Sequence, residues 1–206
     1  ESVELKLRKH VESAVQKDLC AGDQGHKHLQ KIADKLLKDS SHQASVKVFL
    51  GKNDVVNAYT FPSGVIVIEK KLIESAKSQE AVAAVVAHEI QHHLQKHILS
   101  RVVRASILTF TWNAALGDFS SVVMIDPSTL YQVASLKFDR DDEKEADYLG
   151  AEMLVRSGIS PKPFSEFLIE LSASAGKVPE FLSSHPLKGR DKLVSRNFPE
   201  SKPKKR

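Results

Sequence analysis

The chain has 206 residues, 41% of them apolar and 27% charged, with nine Gly and eight Pro; that is enough apolar mass for one domain with a real core, and it matches neither a disordered nor a fibrous chain. Thirty Lys and Arg against 26 Asp and Glu leave a formal charge of +4, a surplus too diluted to be a nucleic-acid footprint. One cysteine, Cys20, excludes an internal disulfide framework and a thiolate zinc cluster, so with nine His any metal chemistry rests on imidazole and carboxylate.

Val3, Leu5, Val11, Ala14 and Val15 recur among charges at helical period and predict a helix over residues 3–19. A second helix is expected from Gln24 to Lys38, with Leu29, Ile32, Ala33, Leu36 and Leu37 on one side. The period then changes. Val46, Val48 and Leu50 alternate with Lys47, Phe49 and Gly51, and Gly51 to Asp54 supply turn residues. Val55 to Phe61 and Val65 to Ile68, separated by Pro62-Ser63-Gly64, read as two more strands.

Ser78 is the expected N-cap of a helix carrying Ala81 to about Ser100, with acidic Glu80 in its first turn. Its Ala/Val-rich first half is apolar enough to be buried all round. The longest apolar stretch, Val102 to Ile125, is broken by Arg104, Asn113, Gly117 and Asp118. No segment therefore reads as a membrane span or a signal peptide. Residues 116–130 read as an irregular loop. Asp139 to Ser157 is another helix, stopped near Gly158, and Pro161 stands at the first helical position of the next. A last short helix is expected after His185-Pro186, and the basic tail from Ser201 to Arg206 is expected to be disordered. The fold class is α+β, mostly helical, with a small antiparallel-containing sheet of about three strands.

Inside the buried-looking helix stands His88-Glu89-Ile90-Gln91-His92. Residues four apart on a helix share a face, so both imidazoles can ligate one Zn²⁺ while Glu89 reaches a water as general base. A catalytic zinc needs a third protein ligand, and position 98, six beyond His92, is Ile. The acidic segment from Asp141 to Asp147 offers Glu143 as that ligand, with Asp147 one turn on to orient an imidazole. Spacing alone leaves open that this is a solvated acidic helix start, which the macrodipole favours anyway.

The segment from Val56 to Gly64, then AHEIQHHLQKH, then DEKEADYLGAEML, then SSHP, resembles the HtpX and CaaX prenyl-protease type of zinc metallopeptidase, a gluzincin family. The likeness covers residues 45–196. It implies a zincin-like catalytic core over 45–196, with residues 1–44 as N-terminal helices packed on it, in a single domain over 1–200. It implies His88, His92 and Glu143 as ligands of one zinc per chain, Glu89 as catalytic base, and Asp147 as partner of a ligating His. His97 matches a family position and is expected to be a structural helix residue. His185, in the His-Pro pair, is implied to approach the zinc as an oxyanion stabiliser or a resting-state ligand. The family has Arg six residues after this His; here that position is Asp191, with Arg190 at five. Arg190 is therefore taken, across a one-residue shift, as an oxyanion or ligand-supporting residue.

By the same resemblance, the strand holding Val65, Ile66 and Val67 is an edge strand above the active-site helix that binds substrate by β-augmentation. Phe110, Trp112, Phe119 and Met124 are read as core packing in preference to a lid or a membrane-facing patch. The function implied is a zinc-dependent endopeptidase of unfolded or misfolded polypeptides in the cell envelope or periplasm. It implies peripheral membrane or envelope-complex association and no nucleic-acid partner. The rival reading is a chaperone-like module that binds polypeptides, has a structural or regulatory metal and cleaves little.

Overall fold

The computed structural model describes residues 3–38, 40–101, 131–132, 134–135, 137–173, 178–188 and 190. The irregular loop, the aromatic and Met residues Phe110, Trp112, Phe119 and Met124, and the basic tail lie outside them. Helix α1 (Val3–Val15) continues into a 3-10 turn (Gln16–Asp18) and is followed by α2 (Gln24–Leu36). Strands β1 (Lys47–Gly51), β2 (Ala58–Thr60) and β3 (Val65–Glu69) form the sheet. Helices α3 (Lys70–Ser75) and α4 (Gln79–Leu94) follow, then α5 (Arg140–Arg156), α6 (Lys162–Ala173) and α7 (Glu180–Ser184). The result is α+β and mostly helical, as the composition of the segments implies. Among the described residues, no helix is long and apolar enough to cross a membrane.

The sheet order is β1-β3-β2, with β1 parallel and β2 antiparallel to β3. This corrects the expectation for Val65, Ile66 and Val67: they form the central strand, paired on both sides, so their main chain has no edge to offer a substrate. All five β3 residues are buried, which is why Val65 to Ile68 is an unbroken apolar run. The outer edge of β1 is closed from α2. His26 Nδ1 accepts from the Leu50 amide at 2.9 Å, and Gln30 Oε1 accepts from Val48 at 2.9 Å. The Cys20 amide donates to Leu50 O, so Cys20 serves in tying the N-terminal segment to the sheet. The sheet edge that faces α4 is therefore β2.

Helix α4 is the centre of the molecule. Ser78 caps it, its hydroxyl accepting from the Ala81 amide at 3.1 Å, and every residue from Ala81 to His92 is buried. It packs against α5, α6, α2 and β2. The helix stops at Leu94, earlier than its apolar pattern implies. Lys96 sits in the left-handed region at φ 58°, and residues 97–101 are helical again in a new direction. One other boundary differs from expectation: helix α6 starts one residue after Pro161. A short helix precedes His185, and the helix expected after His185-Pro186 falls largely outside the described residues.

Helix α5 approaches α4 at Gly150, where an added Cβ would lie 3.4 Å from the carbonyl carbon of Ala87 and from the His88 amide nitrogen. Backbones this close need a residue without a larger side chain. Gly150→Ala just fits and gains helix propensity, so its stability should stay within about 1 kcal/mol of the parent. Gly150→Leu overpacks the crossing; a cost of about 1–3 kcal/mol, or roughly 3–10 °C in thermal midpoint, is expected by calorimetry. Equal midpoints for the Leu and Ala variants would contradict this packing.

Candidate metal centre

The α4–α5 crossing puts the HExxH face of one helix against the acidic first turns of the other. His88, His92, Glu143 and His185 each turn one ligand-type atom inward, and these four atoms lie within 4.8 Å of one another. His88 Nε2 and His92 Nε2 are 3.0 Å apart, and His92 Nε2 is 3.3 Å from Glu143 Oε1. His185 Nδ1 lies 3.2 Å from His88 Nε2 and 2.9 Å from Glu143 Oε1. Neighbouring ligands of a tetrahedral centre with bonds near 2.0–2.1 Å stand roughly 3.3 Å apart. The observed spacings, 2.9–3.3 Å, lie at or just below that value.

Charge points the same way. Glu89, Glu143 and Asp147 are at most 2% exposed, and the guanidinium in contact with this group is that of Arg190, itself 1% exposed. Among the described residues, three carboxyl groups face one guanidinium in a desolvated space, an acidic excess of two where uncompensated charge is expensive. A divalent cation matches it. Burial alone would raise the Glu143 carboxyl, but His185, His92 and Arg190 outweigh burial and hold it well below its ordinary value. Burial drives the His92 imidazole well below its own ordinary value, against the pull of Glu143. A neutral imidazole beside a carboxylate is the protonation state metal ligation requires.

Each remaining side chain has an identifiable support. His88 Nδ1 is 2.9 Å from Asp147 Oδ1. Arg190 grips Asp147 with both arms, Nε to Oδ2 at 2.8 Å and Nη2 to Oδ1 at 2.7 Å, while Nη1 contacts Glu143 and donates to His185 O at 3.0 Å. Arg190 thus reaches the site despite the one-residue shift, in contact with Asp147 and Glu143. Glu89 Oε2 accepts from Thr60 Oγ1 of β2 at 2.6 Å, its Oε1 has no hydrogen-bond partner among the described residues, and His185 Nε2 is 3.5 Å from that oxygen. The His185 ring stacks between Phe138 and Phe181, at centroid distances of 5.0 and 4.6 Å. Phe138 also lies 3.7 Å from the His92 ring.

Of the residues singled out in the sequence, His88, Glu89, His92, Glu143, Asp147, His185 and Arg190 meet in this one place. Val65, Ile66 and Val67 do not, being interior to the sheet. Thr60 and Phe138 were not foreseen, because a threonine in a strand and an aromatic before a helix carry no local signal of what they face.

The model of peptidase family M48 matches residues 23–192. The beta-barrel assembly-enhancing protease of Escherichia coli (strain K12) is 32% identical over 167 residues, which cover 71% of this chain and 34% of that protein. The protein of the same name from Yersinia pestis is 33% identical over 153 residues, 68% of this chain and 31% of that one. The mitochondrial metalloendopeptidase OMA1 of Arabidopsis thaliana is 27% identical over 186 residues, 86% of this chain and 37% of that one. The chain spans about a third of the length of these relatives.

A pH prediction follows from the buried carboxylates. Asp147, like Glu143, titrates below its ordinary value: burial pushes it up, but Arg190 and His88 outweigh that. A carboxyl whose folded pKa is depressed stabilises the fold above the ordinary carboxylate range near pH 4, and loses that contribution as pH falls through the folded value. Arg190→Leu should therefore cost roughly 3–5 kcal/mol at pH 7, and the deficit should shrink on acidification, as the orphaned carboxyls protonate. Urea midpoints at pH 7 and pH 3.5 measure it; a deficit independent of pH would contradict the assignment.

Proposed function

The chain belongs to peptidase family M48, and on that premise we propose that it is a zinc-dependent endopeptidase acting on polypeptides. The observation that carries this reading is the convergence of His88, His92 and Glu143 on one point, with Glu89 beside it. Two imidazoles and a carboxylate are a zinc donor set, and one zinc per chain is held by these three residues. Zinc, when bound, supplies Lewis acidity that brings the pKa of water toward 7 and polarises a peptide carbonyl.

The chain's own residues do the rest. Thr60 holds Glu89 Oε2, which leaves Oε1 to take a proton from the attacking water and return it to the leaving amine. Asp147 and Arg190 fix His88, so that its Nε2 stays directed at the site. His185 Nδ1 stands where a fourth ligand would, which favours its role as a resting-state ligand. Substrate enters only after that ring moves. Its N–H, once displaced from the ligand position, can donate to a developing oxyanion. Phe138 and Phe181 define the slot it leaves and re-enters.

The relatives' names, protease and metalloendopeptidase, support polypeptide substrates, and the beta-barrel assembly named for the bacterial relatives supports a place in the cell envelope. Casein cleavage by the zinc-loaded chain tests the reading. Glu89→Gln should keep zinc yet lose activity by about 10²–10⁴-fold, and chelation should abolish cleavage in a zinc-reversible way. Undiminished cleavage by Glu89→Gln would refute the mechanism. Polypeptide binding without cleavage in the parent would favour a chaperone-like module.

A further inference from the structure

His97 follows His92 by five residues, and on a continuous helix it would point about 140° away around the axis. It does not. Gln95 and Lys96 end α4, Lys96 takes a left-handed φ of 58°, and the chain turns so that His97 Nδ1 comes to 3.0 Å from His92 Nδ1. The left-handed conformation costs a lysine roughly 1 kcal/mol or more, and such strain persists where something depends on it. His97 is 5% exposed, its ring 5.0 Å from that of His92 at 71°. Its other nitrogen faces α5: Nε2 lies 3.1 Å from Glu145 Oε2 and 3.8 Å from Asp142 Oδ1.

These contacts allow one consistent placement of protons. His92 Nε2 faces Glu143 and His88 Nε2, so a ligating His92 carries its proton on Nδ1. That proton needs an acceptor, and the atom opposite is His97 Nδ1. A neutral His97 that accepts at Nδ1 is protonated at Nε2, and that N–H is directed at the Glu145 carboxylate. Carboxylate, imidazole and imidazole form a chain in which each member fixes the tautomer of the next.

We propose that His97 is a positioning residue of the metal site: it accepts the Nδ1–H of His92, is held in that tautomer by Glu145, and is delivered by the left-handed turn at Lys96. The proposal rests on the metal-site reading above. It gives the two ligating histidines unlike supports, a carboxylate backed by arginine for His88 and a second imidazole for His92. Glu145, two residues past the proposed ligand Glu143, thereby acquires a role, although its side chain is half exposed.

Zinc affinity of the chelator-stripped chain, by competition with a chromogenic chelator, tests it together with the tautomers seen in long-range ¹H–¹⁵N spectra of the zinc-loaded, ¹⁵N-histidine-labelled parent. His97→Leu should weaken zinc binding about 10–100-fold, and His97→Asn, whose Oδ1 replaces the accepting nitrogen, should recover to within about threefold of the parent. The spectra should show His97 protonated at Nε2 alone. Parental zinc affinity in His97→Leu would overturn the proposal, as would a His97→Asn as weak as His97→Leu. A His97 protonated at Nδ1 would overturn it too, and the spectra are read on the parent whether or not the Leu variant folds. Failure of the parent to bind zinc would instead remove the metal-site reading itself.

Discussion

Glu143 and Asp147 carry two carboxylates into the interior between α4 and α5, and Glu89 adds a third from α4 itself. Ions taken out of water lose several kcal/mol each unless partners restore what the solvent supplied. Arg190 restores part of it, spanning both α5 carboxylates from a segment far along the chain. Imidazoles of His88, His92 and His185 take up more of the carboxylate lone pairs. What remains is a deficit of positive charge at the point where the ring nitrogens converge. A dication is the group whose charge and coordination preferences fit it.

That arrangement depends on helix geometry upstream of any side-chain chemistry. The small residues of α4 and the glycine at position 150 let two helices approach with their backbones nearly touching. With a larger spacing, Glu143 and Asp147 could not both reach imidazoles on the facing helix. Thr60 acts from the third side, where β2 runs against α4 and holds the carboxylate next to His88. Three elements thus fix the three roles of ligand, support and base.

Much of this was legible in the sequence because it follows from regular periodicity. The i, i+4 histidines and the i, i+4 pair of Glu143 and Asp147 each share a helix face by arithmetic, and Ser78 announced the start of α4. The end of α4 was not legible. A left-handed terminator is usually Gly or Asn, and Lys96 takes that conformation without either signal. The place of β3 was not legible: an unbroken apolar run, as in Val65 to Ile68, says that both faces are covered, but β2 is buried on both faces too and lies at the end of the sheet order. Thr60 and Phe138 were invisible for a different reason, since their importance lies in what they face across the fold.

The claim on which the rest depends is that this buried group binds one metal ion through His88, His92 and Glu143. Anomalous diffraction from zinc-loaded crystals, collected on both sides of the zinc edge, addresses it directly. A single strong peak bounded by His88 Nε2, His92 Nε2 and the Glu143 carboxylate is the predicted result. Zinc peaks elsewhere, with none between these side chains, would contradict it.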